Sequence, residues 1–302
     1  MSKRIIVAGG TGFIGHPLVQ NLLFEGYSVV VLSRSAHVSN NARLTYVCWD
    51  PEEIGDWKSH LDGAYAVINL CGESIASKKW TPSFKELLIK SRILPTRALV
   101  SAIESATKRP SILVNISAVG LYGVTPPSEA TETTAPGTDF LSTLCVQWES
   151  EARQAVVLGV RVIIPRIGVV LGKDGGILPR IARFFRLYLG GPFGTGKQPF
   201  VWVDLEDVVK SITFLLSRPT AEGAYNIVSP DRRTMGSFCQ LLGKALHRPS
   251  WLHVPEFALK WIMGEMSDSI LNARPVSPSR LNSLGYYFKS PNLISTLTKY
   301  LQ

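Results

Sequence analysis

The chain has 302 residues, of which 45% are hydrophobic, with 32 Lys and Arg against 23 Asp and Glu for a net charge of +9. That is enough apolar material for one large domain and a smaller lobe, and no apolar run reaches the roughly 18–20 residues that cross a bilayer. Cys48, Cys71, Cys145 and Cys239 lack C-x-x-C spacing and nearby His partners, so neither a zinc site nor a disulfide framework is expected.

The first predicted element is the apolar run Ile5-Ile6-Val7-Ala8, followed at once by Gly9-Gly10-Thr11-Gly12-Phe13-Ile14-Gly15. A buried parallel strand, a glycine turn and a helix opening at Phe13 form the first unit of a dinucleotide-binding fold. Gly9 permits the tight turn, Gly12 lets the backbone approach a pyrophosphate, and Gly15 lets the helix pack close to the strand. Free N–H groups at the helix start then hold the phosphates. The N-terminus enters this strand without a visible signal or transit peptide, so the expected location is cytoplasmic, or an organelle lumen if a targeting peptide was removed.

Further strands are expected at 28–32, 45–48, 66–70, 112–116 and 161–164, with helices between most of them. This alternation specifies an α/β fold, a Rossmann-type doubly wound parallel sheet. The second strand ends at Ser33-Arg34-Ser35, where an NAD-selective site would carry an acidic residue. A hydroxyl and a guanidinium suit a 2′-phosphate instead, so NADP(H) is the expected cofactor. Asp50 follows the third strand, either as an acceptor for the adenine amino group or as an ordinary Asp-Pro turn. Leu70, Cys71 and Gly72 end the fourth strand where the cofactor ribose should pass, with Cys71 a small packed residue more than a nucleophile. Asn115-Ile116-Ser117 matches a glycosylation sequon but sits at the end of an apolar strand.

After Arg166 the pattern changes, and seven glycines from Gly172 to Gly196 break the chain into loops around one amphipathic helix at 177–188. Arg180, Arg183 and Arg186 lie at i, i+3, i+6 on it: either a solvated face or a site for an anionic substrate or membrane surface. Segment 190–203 is expected to be a lid, with Gln198 and Trp202 facing ligand or the lobe interface; its near-match to a phosphate loop fails at Gln198. Helix 204–217 and strand 224–228 return to the nucleotide domain. Residues 171–203 and 231–302 are then a small, mostly helical C-terminal substrate lobe, against a cofactor domain of 1–170 and 204–230. The five His residues form no metal-ligating pair, so no metal is expected.

Taken together, GGTGFIG at 9–15, SRS at 33–35, VINLCGES at 67–74, SAVGLYG at 117–123, DFLSTLCVQWE at 139–149, PRIGVVLG at 165–172, GGPFGTGKQPFVWVDLEDV at 190–208 and GAYNIVSP at 223–230 resemble the extended short-chain dehydrogenases/reductases. The resemblance is closest to an atypical NAD(P)-dependent epimerase-like branch, labelled cell-division-inhibitor-like, and covers nearly the whole chain. It implies an NADP domain contacted by Thr11, Phe13, Ile14, Ser33, Arg34, Leu70, Cys71, Arg92 and Val170; for Arg92 the alternative is an exposed helix arginine.

The catalytic Tyr-x-x-x-Lys pair of that family is missing, since no Tyr here has Lys four residues later. Anchoring on Glu149 puts Leu141 at the Tyr position and Cys145 at the Lys position. Leucine moves no proton, and a neutral thiol cannot lower a neighbour's pKa as an ammonium does. Tyr122 is a replacement acid if its pKa is lowered; the opposing reading is a packed Tyr whose hydroxyl finds a partner. Ser117 either orients a substrate carbonyl or closes the strand with a turn hydrogen bond. Glu73, Lys78 and Lys79 follow the fourth strand and are weaker candidates. Two functions are therefore open: an NADP(H)-dependent oxidoreductase or epimerase-like enzyme on a small polar substrate, or a catalytically silent NADP(H)-binding sensor. Neither nucleic acid nor stable membrane insertion is expected, and a homodimer is compatible with the sequence.

Overall fold

A computed structural model describes residues 2–53, 55–124 and 128–301. Strands β1 (Arg4–Ala8), β2 (Ser28–Ser33), β3 (Leu44–Cys48), β4 (Ala66–Asn69), β5 (Ile112–Asn115), β6 (Ser117–Ala118), β7 (Arg161–Ile167) and β11 (Gly223–Ile227) form one sheet. Its order is β11-β7-β5-β4-β1-β2-β3, with β6 also on β7. Every pairing in it is parallel. Strand order reverses between β1 and β4, and in such sheets ligands bind outside the strand ends at that reversal.

Alternate side chains of the strands enter two separate cores, which is why the strands read as unbroken apolar runs. On one face Ile5, Val7, Val29, Val31, Ile68 and Val114 pack under α1 (Gly15–Phe24) and α5 (Leu205–Ser217). On the other, Ile6, Val30, Leu32, Val67, Leu113 and Ile164 pack under Leu99, Ala102 and Ile103 of α2 (Pro82–Ser105). Burying a Val, Leu or Ile side chain contributes about 1.5–3 kcal/mol, so these two layers set the position of everything at the strand ends.

The sixth strand is longer than expected. The run expected at 161–164 continues through Pro165 to Ile167 as β7. Its neighbour is interrupted: β5 pairs with β7 only as far as Ile163, and β6 resumes at Arg166. Pro165 falls in that gap, where a missing N–H costs the ladder least. The run expected at 112–116 is correspondingly split at Ile116.

A third apolar cluster joins Leu178, Ile181 and Phe185 of α4 (Leu178–Arg186) to Trp202 of β10 (Trp202–Asp204), Phe238 and Leu242 of α6 (Met235–Leu246), and Leu293 and Leu297 of α10 (Leu293–Leu301). Two carboxylates at the start of α5 tie the C-terminal chain to the sheet. Buried Asp207 accepts from Tyr286 Oη (2.9 Å) and the N–H groups of Lys289 (2.7 Å) and Ser290 (2.9 Å). Asp204 accepts from Lys299 Nζ and Tyr300 Oη, both at 3.2 Å.

Candidate functional site

How α1 begins sets the site. Helices α2, α3 (Phe140–Arg153), α5 and α6 each start on a side chain that accepts from a first-turn N–H: Thr81, Asp139, Asp204 and Thr234. Helix α1 has no such cap and opens at Gly15, two residues later than the sequence suggests, because Gly12 turns back to donate to Gly9 O at 3.1 Å. Among the described residues nothing accepts from the N–H groups of Thr11, Phe13 or Ile14. An uncapped helix start with free donors is an anion site.

The glycines hold this turn against β4. Gly9 adopts φ +77°, and a Cβ there would stand 3.0 Å from the Leu70 carbonyl carbon. A Cβ on Gly15 would meet Gly9 O at 2.2 Å, so only glycine admits this strand-to-helix approach. The Phe13 ring is gripped by the loop at 172–176, where Cβ atoms on Gly172, Gly175 or Gly176 would lie 2.5–3.0 Å from it. Phe13 therefore offers a ligand its backbone N–H, not its ring.

Around the reversal point lies a cavity of about 240 Å³. Eight expected cofactor residues meet on its wall: Gly9, Thr11 and Gly12 from the turn, Ser33 and Arg34 from the end of β2, and Leu70, Cys71 and Gly72 from the end of β4. Trp49, Pro51, Ser91 and Pro95 line it as well, and sequence reasoning missed them. Arg34 is exposed, and among the described residues no carboxylate pairs with it. Burial pushes the Cys71 thiol up to about 12, against the pull of the Arg34 charge. It stays a neutral thiol.

Beneath this wall is a buried polar cluster. Thr96 Oγ1 accepts from Asn69 Nδ2 and Trp148 Nε1, both at 2.9 Å, while Asn69 also donates to Asn115 Oδ1 at 2.7 Å. Asn69 Oδ1 accepts from Cys71 N–H at 3.1 Å, fixing the loop that borders the cavity. The Asn115 of the apparent sequon is wholly buried. Its only sequence signal is a polar residue closing an apolar strand.

The remaining cofactor candidates stand off the cavity wall. Asp50 Oδ1 accepts from Glu52 N–H at 2.8 Å, the turn alternative, with Trp49 and Pro51 as its neighbours on the wall. Arg92 is half-buried and not an exposed helix arginine. Its guanidinium donates to Glu73 O (2.9 Å) and Leu88 O (3.1 Å), lies 5.2 Å from the Trp148 ring centre and backs Gly72. Burial lowers its pKa, in spite of the nearby Glu73 carboxylate. Val170 sits in β8 (Val169–Leu171), paired with Val203 of β10, and packs on the α1/α5 core. Lys79 Nζ donates to Trp261 O (3.2 Å), and Lys78 is exposed.

Tyr122 has the setting of the packed alternative, with partners for its hydroxyl. Its ring is wholly buried. The hydroxyl donates to Asn226 Oδ1 at 2.6 Å and accepts from Arg166 Nη1 at 2.9 Å. Burial raises its pKa in spite of the Arg166 charge, so it remains a phenol. Arg166 is the hub of this network, bonded to Glu149 through Nε (2.8 Å) and Nη2 (2.9 Å), both side chains under a tenth exposed. Burial opposes the guanidinium's charge, yet the hydrogen bonds and charge of Glu149, together with Tyr122, outweigh it and raise the Arg166 pKa. Glu132 and Arg274 extend the network to Asn226 N–H and to the Tyr122 carbonyl. Arg166 and Asn226 lie opposite each other in the β7–β11 register, a pairing only the sheet reveals.

Ser117 Oγ is buried without a hydrogen bond of good geometry, although it lies near enough to Cys145 to bear on that thiol. Cys145 is 4% exposed and packs with Leu121, Tyr122, Val228 and Val276. Burial and then the Glu149 charge push its thiol up to about 11. Half-buried Leu141 packs with Leu144, Trp80 and Phe84. On this face of α3 both Leu141 and Cys145 pack against apolar neighbours.

The expected lid is pinned. Trp251 N–H and Leu252 N–H donate to Gly190 O at 3.1 and 3.0 Å, and Val254 N–H to Pro192 O at 3.0 Å. Trp202 lies inside the third core, donating to Asp231 O at 3.0 Å, and Gln198 donates to Phe193 O at 2.8 Å within its own turn. Both side chains are buried.

A parallel sheet with an uncapped glycine turn at its reversal point defines a Rossmann-type nucleotide-binding protein. The chain belongs to the NAD dependent epimerase/dehydratase family, whose model matches residues 5–228; residues 254–299 match a domain of unknown function, DUF1731. It is 39% identical to the chloroplastic epimerase family protein SDR39U1 homolog of Arabidopsis thaliana, over 99% of this chain and 86% of that protein. It is 35% identical to an epimerase family protein of Staphylococcus aureus, over 96% of each. Among solved structures, human epimerase family protein SDR39U1, crystallised with NADPH, superposes with a TM-score of 0.89 at 31% identity over 99% of each chain. UDP-glucuronic acid 4-epimerase of Bacillus cereus shares the fold, with a TM-score of 0.83 at 17% identity over 99% of this chain and 98% of that one.

Proposed function

We propose that this chain binds NADP(H) and exchanges hydride with a small polar substrate without a Tyr–Lys acid. The carrying observation is the cavity itself: Gly9, Thr11 and Gly12 of the turn before the uncapped helix on one side, and Arg34, with which no carboxylate pairs among the described residues, beside Ser33 on the other. Phe13 and Ile14 N–H groups would hold the pyrophosphate, Arg34 with Ser33 the 2′-phosphate, and the Leu70–Gly72 backbone the ribose path, with Arg92 and Val170 supporting from behind. Asp50 is the adenine-side candidate. When bound, the cofactor supplies a hydride donor or acceptor at the nicotinamide ring. Ser117, with an unpartnered buried hydroxyl, is the residue for orienting a substrate carbonyl, and water or the substrate supplies the proton. Residues 1–170 with 204–230 form the cofactor domain in this reading, and 171–203 with 231–302 the substrate lobe. The shared apolar cluster of α4, α6 and α10 supports that division.

A second reading, a silent NADP(H) sensor, is favoured by one observation: Tyr122 and Cys145 are both locked in packed, neutral states. The two separate by experiment. Protein loaded with NADPH or with NADP⁺ is exposed to metabolite fractions while nicotinamide absorbance is followed, with product analysis for redox-neutral epimerisation. Saturable turnover supports the enzyme; tight binding with neither redox change nor new product supports the sensor.

A further inference from the structure

The positive charge of this protein is concentrated. Residues 175–203 and 232–255 hold eight Lys and Arg and no Asp or Glu, leaving 24 basic against 23 acidic residues in the rest of the chain. These two stretches are distant in sequence but fold together. Helices α4 and α6 share one core, Arg248 stacks 4.8 Å from the Tyr188 ring centre, and Trp251 is bonded to Gly190. Of the eight, Arg232 and Arg233 pair with Glu129 and Asp231, outside the two stretches, whereas among the described residues no carboxylate pairs with Arg183, Arg186, Lys244 or Arg248.

The same face presents apolar side chains to solvent. Helix α4 buries Leu178, Ile181, Ala182 and Phe185, while Phe184, Leu187, Tyr188, Leu189 and Trp251 are 49–66% exposed. Tyr188 takes φ +64°, a left-handed conformation that costs a non-glycine residue energy and turns the chain sharply at the helix end. Cations in the last turn complement the helix dipole, but that gives no reason for five exposed apolar neighbours. Beside them is an open depression of about 820 Å³ lined by Lys244, His247, Arg248 and Ser250, in which Arg248 Nε and Ser250 Oγ are shielded from solvent without a partner.

We propose that this face docks on an anionic lipid surface. Phe184, Leu187, Leu189 and Trp251 enter the headgroup boundary, Arg183 and Arg186 lie over phosphates, and the Lys244/Arg248 depression takes one phosphate headgroup. The charge is of one sign and the apolar groups protrude, which matches an anionic bilayer. The aliphatic pair Leu187 and Leu189 has no use against stacked bases. Docking is peripheral, since among the described residues no helix is long and apolar enough to cross a membrane.

The test is sedimentation of the full chain with phosphatidylcholine vesicles containing about one-third phosphatidylserine, against pure phosphatidylcholine, at two salt concentrations. Binding is expected only to the anionic vesicles and is expected to weaken with salt. Arg183→Gln with Arg186→Gln should weaken it about 25-fold, at about fivefold per cation, and Leu187→Ser with Leu189→Ser should weaken it at unchanged charge. NADPH affinity of both variants, measured in parallel, should equal that of the parent and so report intact folding. Vesicle binding that is absent, indifferent to lipid charge, or equal in parent and variants overturns the proposal. So does preferential capture by an oligonucleotide, or by inorganic phosphate without vesicle retention.

Discussion

Replacing Glu149 with Gln leaves the Arg166 guanidinium buried without its countercharge. The two side chains are 5% and 7% exposed and joined by hydrogen bonds of 2.8 and 2.9 Å. Arg166 keeps only neutral partners, Tyr122 Oη at 2.9 Å and the Glu132 carbonyl at 3.1 Å. Breaking a buried pair from one side costs about 3–5 kcal/mol. An unfolding entropy of about 2.1 cal/mol/K per residue, over a chain of this length, turns that into a Tm loss of about 5–8 °C. Scanning calorimetry of the parent and Glu149→Gln reads it directly. Adding Arg166→Met to Glu149→Met removes both charges, so the double variant should cost less than the two singles summed, with a coupling of about 1–3 kcal/mol. NADPH affinity below the transition should change little, because neither residue lines the cofactor cavity. A Glu149→Gln loss under about 1 kcal/mol, the range of an exposed pair, would mean water reaches the pair and would refute the closed network.

Four further outcomes follow from the same geometry. Arg34→Ala should lower NADPH affinity by about 2 kcal/mol, the weight of a charge-assisted contact, and leave NADH affinity nearly unchanged; titration of both nucleotides checks it, and an unaltered ratio removes Arg34 from the 2′-phosphate. Tyr122→Phe should cost about 1–3 kcal/mol of stability by stranding Asn226 Oδ1 without abolishing turnover of any identified substrate; full loss of turnover at intact fold would restore the acid role. Gly15→Ala should abolish NADPH binding or folding, since its Cβ would meet Gly9 O at 2.2 Å, and wild-type affinity measured by titration would contradict the strand-to-helix approach. Finally, the Lys299 hydrogen bond, partly offset by burial, holds the Glu206 carboxyl below its usual range. That stability is present above the ordinary carboxylate pKa and is lost as pH falls through the lowered one. Glu206→Gln should flatten the acid limb of a urea-midpoint profile, by under about 1 kcal/mol for so exposed a pair.

The candidate cofactor site was largely legible because its signals are local. A turn that needs φ > 0 at Gly9, a glycine-rich helix start and a Ser-Arg-Ser after β2 each depend on a few consecutive residues, and Gly9, Thr11, Gly12, Ser33 and Arg34 meet on one cavity wall. Local reasoning also found most strands, since a strand buried on both faces has to be apolar throughout. It ended the strand at 164, because the tolerance of Pro165 depends on a break in the neighbouring strand, and it left Trp202 open between ligand and lobe interface, a choice that rests on the core made by α4, α6 and α10.

The sequence by itself determined the parallel fold, the glycine turn after β1, the Ser33-Arg34 pair proposed for a 2′-phosphate and the absence of a Tyr-x-x-x-Lys pair. Tertiary structure alone decided what became of the polar residues left over. Tyr122, Glu149, Arg166 and Asn226 come from four separate segments, and nothing in their spacing announces that they meet. A hydroxyl becomes an acid or a structural tie according to burial and to the partner it finds, and both are set by packing between distant parts of the chain. In the same way, two basic stretches that look like scattered surface charge become one face only when α4 and α6 share a core.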